Sequence, residues 1–323
     1  MLELAEGSMD NFNIKGHILI NSFLQTEKFT EHYRWLEQSA EKYGVQLSVI
    51  ENADICCSYG TDCERRIYSI LEGDSFLIYW DKDIRLGRQI EYICRRMGIS
   101  VYNSVDSIAI CDDKSLTYQK LWEWNQSQPD TDKIPLIPTI TAPMTYTNIG
   151  YTSTNFLDQV IEEFSLPVVV KECYGSFGQQ VYLAQSRREL EELTVKLGGT
   201  PHIYQKFIKE SSGRDVRIEV AGDEAVAAMY RYSVNGSFKA NVTSGAHMKA
   251  YQPSASEYRL AIKTARILGL DFGGIDLLFK AGSDEALIVC EANSNAHFKN
   301  IFDCTGINVA DKIIAYILSQ VTS

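Results

Sequence analysis

Two neighbouring segments towards the C-terminus carry side-chain oxygens that suit a divalent cation. Asp276 lies in the strand-like run G-G-I-D-L-L, and Glu291 and Asn293 lie in the next such run, V-C-E-A-N-S-N. Residues two apart on a strand face the same side, so Glu291 and Asn293 should point together. Oxygen ligands without histidine or thiolate favour magnesium, with manganese as the alternative. Carboxylates that merely cap loops are the other interpretation, but their apolar surroundings favour a metal.

A glycine-bearing turn precedes these segments, in V-V-V-K-E-C-Y-G-S-F-G-Q-Q-V. A strand ends at Lys171, and Gly175, Ser176 and Gly178 follow in the turn before the next strand. Glycines let successive backbone N–H groups converge on one anion, and the lysine adds a full positive charge, which suits the phosphates of a nucleotide. The pattern is neither a Walker A loop nor a dinucleotide fingerprint, and an ordinary hairpin remains the alternative.

Cations recur between the turn and the acidic residues. Arg217, Arg231 and Lys239 occur in or beside the apolar strand runs R-D-V-R-I-E-V, M-Y-R-Y and F-K-A-N. Cations that project from a sheet into a cleft are what a transferring phosphoryl group requires. Each of them alone could form a surface ion pair. Together with the acidic residues they predict a site for a metal-bound triphosphate.

The elements that must position these residues fall into two patterns. From His17 to Tyr102 short apolar runs alternate with helical stretches such as 84–97, which predicts a parallel sheet covered by helices. A proline-bearing linker from Pro129 to Pro143 marks a boundary. After this linker most of the predicted elements are strands, and an A-G-D-E turn predicts a hairpin. Helices are predicted over 186–197, with Ser186 as N-cap, and over 254–268.

Composition excludes several classes of protein. The chain has 323 residues, 45% of them hydrophobic, and a formal net charge of −11, which argues against a nucleic-acid partner. It lacks the run of about 18 apolar residues that a membrane helix needs, so a cytoplasmic location is expected. The eight cysteines should be reduced, and the spacing of Cys56, Cys57 and Cys63 does not suit zinc. The residues before Met9 are interpreted as an expression leader.

The ordered motifs resemble the ATP-grasp superfamily and, within it, the RimK-like ligases that add glutamate to a protein tail or small acceptor. The resemblance runs from about Asp113 to the C-terminus. It rests on D-D-K-S-L-T, V-V-V-K-E-C-Y-G-S-F-G, Q-K-F-I-K-E-S-S-G-R-D-V-R, A-A-M-Y-R, F-K-A-N, G-G-I-D-L-L and E-A-N-S-N. It implies a mixed α/β and α+β fold, with an N-terminal α/β pre-ATP-grasp domain (9–112), a small ATP-grasp lobe with the glycine-rich lid (113–203) and a large lobe with the metal site (204–323).

The resemblance also implies residue roles. The glycine turn would close over the phosphates as a lid, residues 205–208 would form the hinge that reads adenine, and Asp215 would hold the ribose. Contacts to ATP are implied for Lys114, Lys171, Gly175, Ser176, Gly178, Gln205, Lys206, Phe207, Ile208, Asp215, Lys239 and Asn241. Magnesium ligation is implied for Asp276, Glu291 and Asn293, and catalytic roles for Arg231, Lys239 and Asn293.

The implied activity is ATP-dependent joining of a carboxylate to an amine through an acyl-phosphate, with ADP and phosphate released. The partners would be small-molecule or peptide carboxylates and amines, without nucleic acid or membrane, and a homo-oligomer stays open. The run N-A-H-F-K-N after E-A-N-S departs from the family, so His297 and Phe298 are expected to influence substrate choice. A regulatory ATP-binding protein and a phosphotransferase are the alternatives. Asp276→Asn is expected to abolish turnover and leave the fold intact.

Overall fold

The computed structural model describes residues 14–55, 58–59, 64–175, 178–240 and 245–322. The predictions for Cys56, Cys57, Cys63, Ser176, Asn241 and the leader-like N-terminal residues lie outside this described part of the chain. Contacts divide it into two compact units. The first contains the residues up to Tyr102 and those from Ala310 onward, and the second contains Asn103–Val309.

The described chain contains strands and helices in alternating groups. The strands are β1 (Lys15–Ile20), β2 (Gln46–Glu51), β3 (Phe76–Trp80), β4 (Ser100–Tyr102), β5 (Thr139–Thr141), β6 (Val168–Glu172), β7 (Val181–Ala184), β8 (His202–Lys206), β9 (Arg214–Ala221), β10 (Glu224–Tyr232), β11 (His247–Ala250), β12 (Phe272–Phe279) and β13 (Ala286–Asn293). The helices are α1 (Glu27–Lys42), α2 (Glu64–Ile70), α3 (Ile84–Met97), α4 (Val105–Asp112), α5 (Lys114–Gln126), α6 (Phe156–Phe164), α7 (Arg187–Leu197), α8 (Ala255–Leu268), α9 (Lys299–Thr305) and α10 (Val309–Val321).

The first unit contains the predicted parallel sheet, in the order β2-β1-β3-β4. Strand β3 is buried along its whole length, which explains its uninterrupted apolar sequence. Helix α3 spans the predicted residues 84–97 because its ends are defined locally. Asp83 accepts hydrogen bonds from the backbone N–H groups of Arg85 and Leu86, and Gly98 ends the helix with a φ of 75°. The parallel α/β prediction is confirmed.

The second unit contains an antiparallel five-stranded sheet, in the order β11-β10-β9-β12-β13. Alternation along β9 gives its two faces different chemistry. Val216, Ile218 and Val220 are buried in a hydrophobic core with residues of α5 and α8. Arg217 and Glu219, on the opposite face, belong to the polar side of the sheet. The structure contains the helix predicted over 254–268 as α8, and Ser254 and Glu257 form a capping box at its start.

A second antiparallel sheet, in the order β5-β8-β6-β7, packs against α6 and α7. The glycine-bearing turn joins β6 to β7, and Ser186 caps α7 as predicted. Strand β8 runs across the boundary predicted between residues 203 and 204. Leu121 of α5, which the prediction assigns to the small lobe, packs in the core of the five-stranded sheet. The division into three domains stays a prediction.

The short helices α2, α4, α6 and α9 and the short strands β4, β5 and β11 were not predicted from the sequence. Their lengths give too few residues for hydrophobic periodicity to show, so tertiary packing decides them. Across the described residues, no helix combines the length and apolarity needed to cross a membrane. The mixed α/β and α+β architecture is the one that the sequence predicts.

Candidate active site

Four charged side chains form a buried cluster on the polar face of the five-stranded sheet. Strand register places Arg231 of β10 opposite Asp215 of β9, and Asp276 of β12 opposite Arg217 of β9. Each arginine meets its carboxylate in a bidentate pair, at 2.6 and 2.8 Å from Nε and Nη2 to the two oxygens. A further contact of 3.0 Å joins Nη2 of Arg231 to Oδ2 of Asp276. The cluster is therefore one ion-paired network.

The network keeps its groups charged despite burial. Burial by itself raises the pKa of Asp276, but the paired charges of Arg217 and Arg231 outweigh this effect and hold the pKa below its usual range. For Arg231, burial opposes the charged form, yet Asp215 and Asp276 raise its pKa well above the usual value. Asp215 is the exception, because burial outweighs the charge of Arg231 and raises its pKa. The sheet thus presents permanent cations beside the permanent carboxylate of Asp276.

Glu219, two residues beyond Arg217 on β9, is a buried acid outside this network. Its side chain is 2% exposed, and its Oε1 meets no hydrogen-bond partner in the described part of the chain. Burial raises the pKa of Glu219 to about 7, although the charge of Arg217 opposes the rise. The sequence analysis named Arg217 among the cations of the site but did not select Glu219. The alternation in R-D-V-R-I-E-V, which puts Glu219 on the face of Asp215 and Arg217, is the signal that could have found it.

Three lysines surround the glycine-bearing turn. Nζ of Lys114 lies 3.1 Å from the carbonyl oxygen of Gly175 and 3.6 Å from Oε1 of Glu291. Nζ of Lys239 donates to the carbonyl oxygen of Gly178 at 2.8 Å. Two lysines therefore bind the two described ends of the turn. Gly178 has a φ of 71°, a backbone conformation that glycine adopts without strain.

The third lysine, Lys171, extends from β6 towards the other sheet. Its Nζ lies 3.6 Å from Sγ of Cys290 on β13, next to Glu291. Burial raises the pKa of Cys290, so the sulfur is a neutral thiol near neutral pH. Lys171 is then a buried cation whose described contact is a neutral group. An anion entering between the two sheets would give it the charged partner it lacks there.

One cleft collects most of these groups, although Arg217 and Glu219 do not line it. Apolar side chains from the two sheets and their flanking segments, including Ile137, Val169, Phe207 and Leu278, line it beside the charged residues. Apolar walls next to cations suit a ligand with an apolar ring and an anionic tail. Thirteen of the predicted residues line this cleft: Lys114, Lys171, Gly175, Gly178, Gln205, Lys206, Phe207, Ile208, Asp215, Arg231, Lys239, Asp276 and Glu291.

Asn293 does not line the cleft, although it lies two residues beyond Glu291 on the same strand. Asp215, expected to hold a ribose, instead pairs with Arg231, so a ribose hydroxyl would have to share its oxygens. The structure places Ser211, Arg214, Phe238 and Cys290 in the cleft as well, and the sequence motifs did not single them out. The individual roles of the site residues stay predictions.

The predicted metal ligands fit a hard cation in their chemistry. Asp276 lies opposite Glu291 in the strand register, and both carboxylates line the cleft. The buried Nδ2 of Asn293 has no hydrogen-bond partner within the described residues, and a half-turn of the amide would present its oxygen instead. The described residues hold no group of three or more His, Cys, Asp or Glu side chains placed for a metal. A cation bound here would share Asp276 with the arginines, and Asn293 could supply a neutral ligand.

A buried asparagine that the sequence analysis missed holds the segment beyond β13. Nδ2 of Asn103 donates to the carbonyl oxygens of Phe272 and Ser294, at 2.9 and 3.1 Å. Its Oδ1 accepts hydrogen bonds from the N–H groups of Asp271 and Phe272, at 2.7 and 3.1 Å. These four bonds tie the start of β12 to the segment that follows Asn293. Of the two residues expected there to affect substrate choice, Phe298 is 1% exposed and so belongs to the core.

Comparison with known proteins matches this architecture to one family. The family model described as a RimK-like ATP-grasp domain matches residues 131–317. The chain is 31% identical over 244 residues to beta-citrylglutamate synthase B of Danio rerio, covering 75% of this chain and 55% of that protein. It is 30% identical over 240 residues to N-acetylaspartylglutamate synthase A of Homo sapiens, covering 74% of this chain and 56% of that protein.

The chain thus spans a little over half the length of these relatives. Among solved structures, the ATP-grasp ligase PsnB complexed with a phosphomimetic precursor variant, Mg and ADP has a TM-score of 0.63 at 14% identity, covering 96% of this chain and 99% of that one. That likeness extends the agreement in fold over nearly the whole sequence. With the matched domain spanning more than half of its length, the chain belongs to the RimK-like ATP-grasp family.

Proposed function

We propose that this chain is an ATP-dependent carboxylate–amine ligase that forms an amide bond through an acyl-phosphate. The observation that carries the proposal is a cleft lined by Arg231, Lys171 and Lys239 together with apolar side chains and the carboxylates of Asp276 and Glu291. This arrangement supplies positive charge for phosphates and an apolar surface for a planar base. The family membership supports the same reading.

The chemistry would need positioning and charge from the protein, without a nucleophilic side chain. A substrate carboxylate oxygen attacks the γ-phosphorus of ATP, the bond to the β-phosphate oxygen breaks, and ADP leaves. The amine then attacks the acyl carbon, phosphate leaves, and the nitrogen releases its proton. Lys114 and Lys239 would hold the glycine turn over the phosphates, because both already donate to its ends.

Arg231 would steady the negative charge that develops on the transferring group and on the acyl intermediate. Its bidentate pair with Asp215 fixes the guanidinium in place, so no side-chain ordering is needed during the reaction. Magnesium, when bound by Asp276, Glu291 and Asn293, would neutralise phosphate charge. ATP and magnesium are consistent with the cytoplasmic location that the sequence predicts.

For the substrates we propose L-glutamate as the amine and a small di- or tricarboxylate as the acid. The two relatives are named as synthases of citrylglutamate and N-acetylaspartylglutamate, which supports this substrate class. The test is an ADP-release assay with L-glutamate and either citrate or N-acetylaspartate, with magnesium, followed by chromatography of the nucleotides and products.

Equal amounts of ADP, phosphate and ligated product are expected. Hydroxylamine in place of the amine should trap the activated carboxylate as a hydroxamate. AMP as the stoichiometric product would refute the acyl-phosphate route. ADP release that needs only the carboxylate and yields a stable phosphorylated product would indicate a phosphotransferase. ATP binding without turnover across the carboxylate and amine panel would indicate a regulatory protein.

A further inference from the structure

Buried polar atoms without partners recur on β9 and on the segment that follows β13. Within the described residues, Oε1 of Glu219, Oγ of Ser294 and Oδ1 of Asn295 are all buried and make no hydrogen bond. Glu219 and Ser294 are each 2% exposed. Buried polar groups in native proteins are nearly always hydrogen-bonded, so such a group of them indicates a ligand or ordered water. All three atoms can act as acceptors.

Strand register brings Glu219 next to the segment that contains the other two atoms. Gly274 of β12 pairs with Glu219 on one side and with Asn293 on the other. A Cβ atom built on Gly274 would lie 3.0 Å from Oε1 of Glu219 and 2.9 Å from Cβ of Ala296. The carboxylate and the segment around Ala296 therefore meet above the bare backbone of Gly274. Any larger residue there would displace one of them.

The same segment continues the polar edge of the cleft. From Glu291 onward, every second residue is partly exposed, namely Glu291, Asn293, Asn295 and His297, and the residues between them are buried. Glu291 lines the cleft, and Ala296, one of the buried residues of the same segment, lies near Oε1 of Glu219, so this segment connects the cleft with the surroundings of Glu219. The four hydrogen bonds of Asn103 hold this segment against the start of β12.

We infer that Glu219, Ser294 and Asn295 form the subsite that binds the ammonium group of the amino-acid substrate. The inference rests on the proposed ligase function and adds the residues that recognise the amine. The two ends of the site differ in the groups that they offer a substrate. The lysines and Arg231 suit phosphates and the carboxylate, whereas a set of acceptors that includes a carboxylate suits a group with N–H donors and a positive charge.

A buried carboxylate also discriminates against substrate analogues that lack the amine. A substrate analogue without the amine leaves Glu219 and its neighbouring acceptors unpaired, which disfavours its binding. The glutamate analogue glutarate differs from L-glutamate in lacking the amine. Comparison of these two probes therefore isolates the contribution of the ammonium from that of the carboxylates.

The experiment measures binding of L-glutamate and glutarate by calorimetry to the full chain saturated with a non-hydrolysable ATP analogue and magnesium. Wild type should bind L-glutamate roughly ten- to a hundredfold more tightly than glutarate, the usual range for a hydrogen bond to a charged group. Glu219→Gln should lose most of this preference and bind glutarate as wild type does. Glu162→Gln, the same change at an exposed position of α6, should keep it.

Hydroxamate formation separates this inference from the proposed function. Hydroxylamine is small and uncharged near neutral pH, so it does not need an ammonium subsite, and hydroxamate formation by the wild type tests the ligase activity independently of that subsite. Absence of hydroxamate and ADP in wild type would reject the ligase proposal itself. Hydroxamate in wild type together with an unchanged L-glutamate preference in Glu219→Gln, or with no preference in wild type, would overturn the ammonium subsite alone.

Discussion

Replacing Asp276 by asparagine should destabilise the protein as well as abolish its activity. The sequence analysis expected an intact fold, because it treated Asp276 only as a metal ligand. In the structure its side chain is 5% exposed and accepts contacts of 2.6 and 2.8 Å from Arg217 and 3.0 Å from Arg231. Loss of its charge leaves two buried guanidiniums with one carboxylate, that of Asp215.

The expected magnitude follows from the burial of the pair. Removal of one partner from a buried ion pair costs about 3–5 kcal/mol, because the remaining charge has lost both water and its counterion. Asparagine keeps the shape and one acceptor oxygen, so we expect about 3 kcal/mol, the lower end of that range. Glu291→Gln, at a side chain that is 27% exposed with its lysine contact at 3.6 Å, should cost about 1 kcal/mol or less.

Urea denaturation followed by circular dichroism gives the free energies of unfolding. The matched control is Asp223→Asn, since Asp223 pairs with Arg266 at 2.7 Å but the two side chains are 80% and 67% exposed. The same chemical change should alter stability there by about 0–1 kcal/mol. Equal losses for Asp276→Asn and Asp223→Asn would refute the conclusion that the buried network contributes to the fold.

Three other perturbations follow from particular contacts. The pKa of Glu219, raised to about 7, means that the folded state holds this proton more tightly than the unfolded state does. The stability that the group contributes is therefore lost as the pH rises from about 4.5 to 7. Glu219→Gln should make the free energy of unfolding depend less on pH in that range. Lys171→Met should weaken ATP binding roughly tenfold or more in calorimetry, while Lys133→Met, at a 43% exposed side chain, should not. Asn103→Ala should lower stability by about 2–4 kcal/mol in urea titrations, since four buried hydrogen bonds lose a partner; a loss near zero would contradict its clamping role.

The elements predicted most accurately are those whose beginning, apolar face and end are all marked in the sequence. Helix α3 has an apolar stripe, an aspartate at its start and a glycine at its end, and its bounds were predicted to the residue. Strand β13 has the alternation that puts Glu291 and Asn293 on one face. Helix α9, with seven residues, offers no such signal and was missed.

The sequence by itself determined which chemistry is available: the order of the lysines, the glycine turn and the acidic residues, and the face of each strand on which they lie. Only the tertiary structure decided their partners. Arg217 meets Asp276, 59 residues away, and Glu219 meets the segment around Ala296, because β12 lies between β9 and β13 in the sheet. Periodicity and capping depend on neighbours along the chain, whereas cross-strand register depends on how distant segments pack. Pairing and burial therefore made Asp276 a structural residue as well as a predicted ligand, and left Oε1 of Glu219 without a hydrogen-bond partner in the part of the chain that the structure describes.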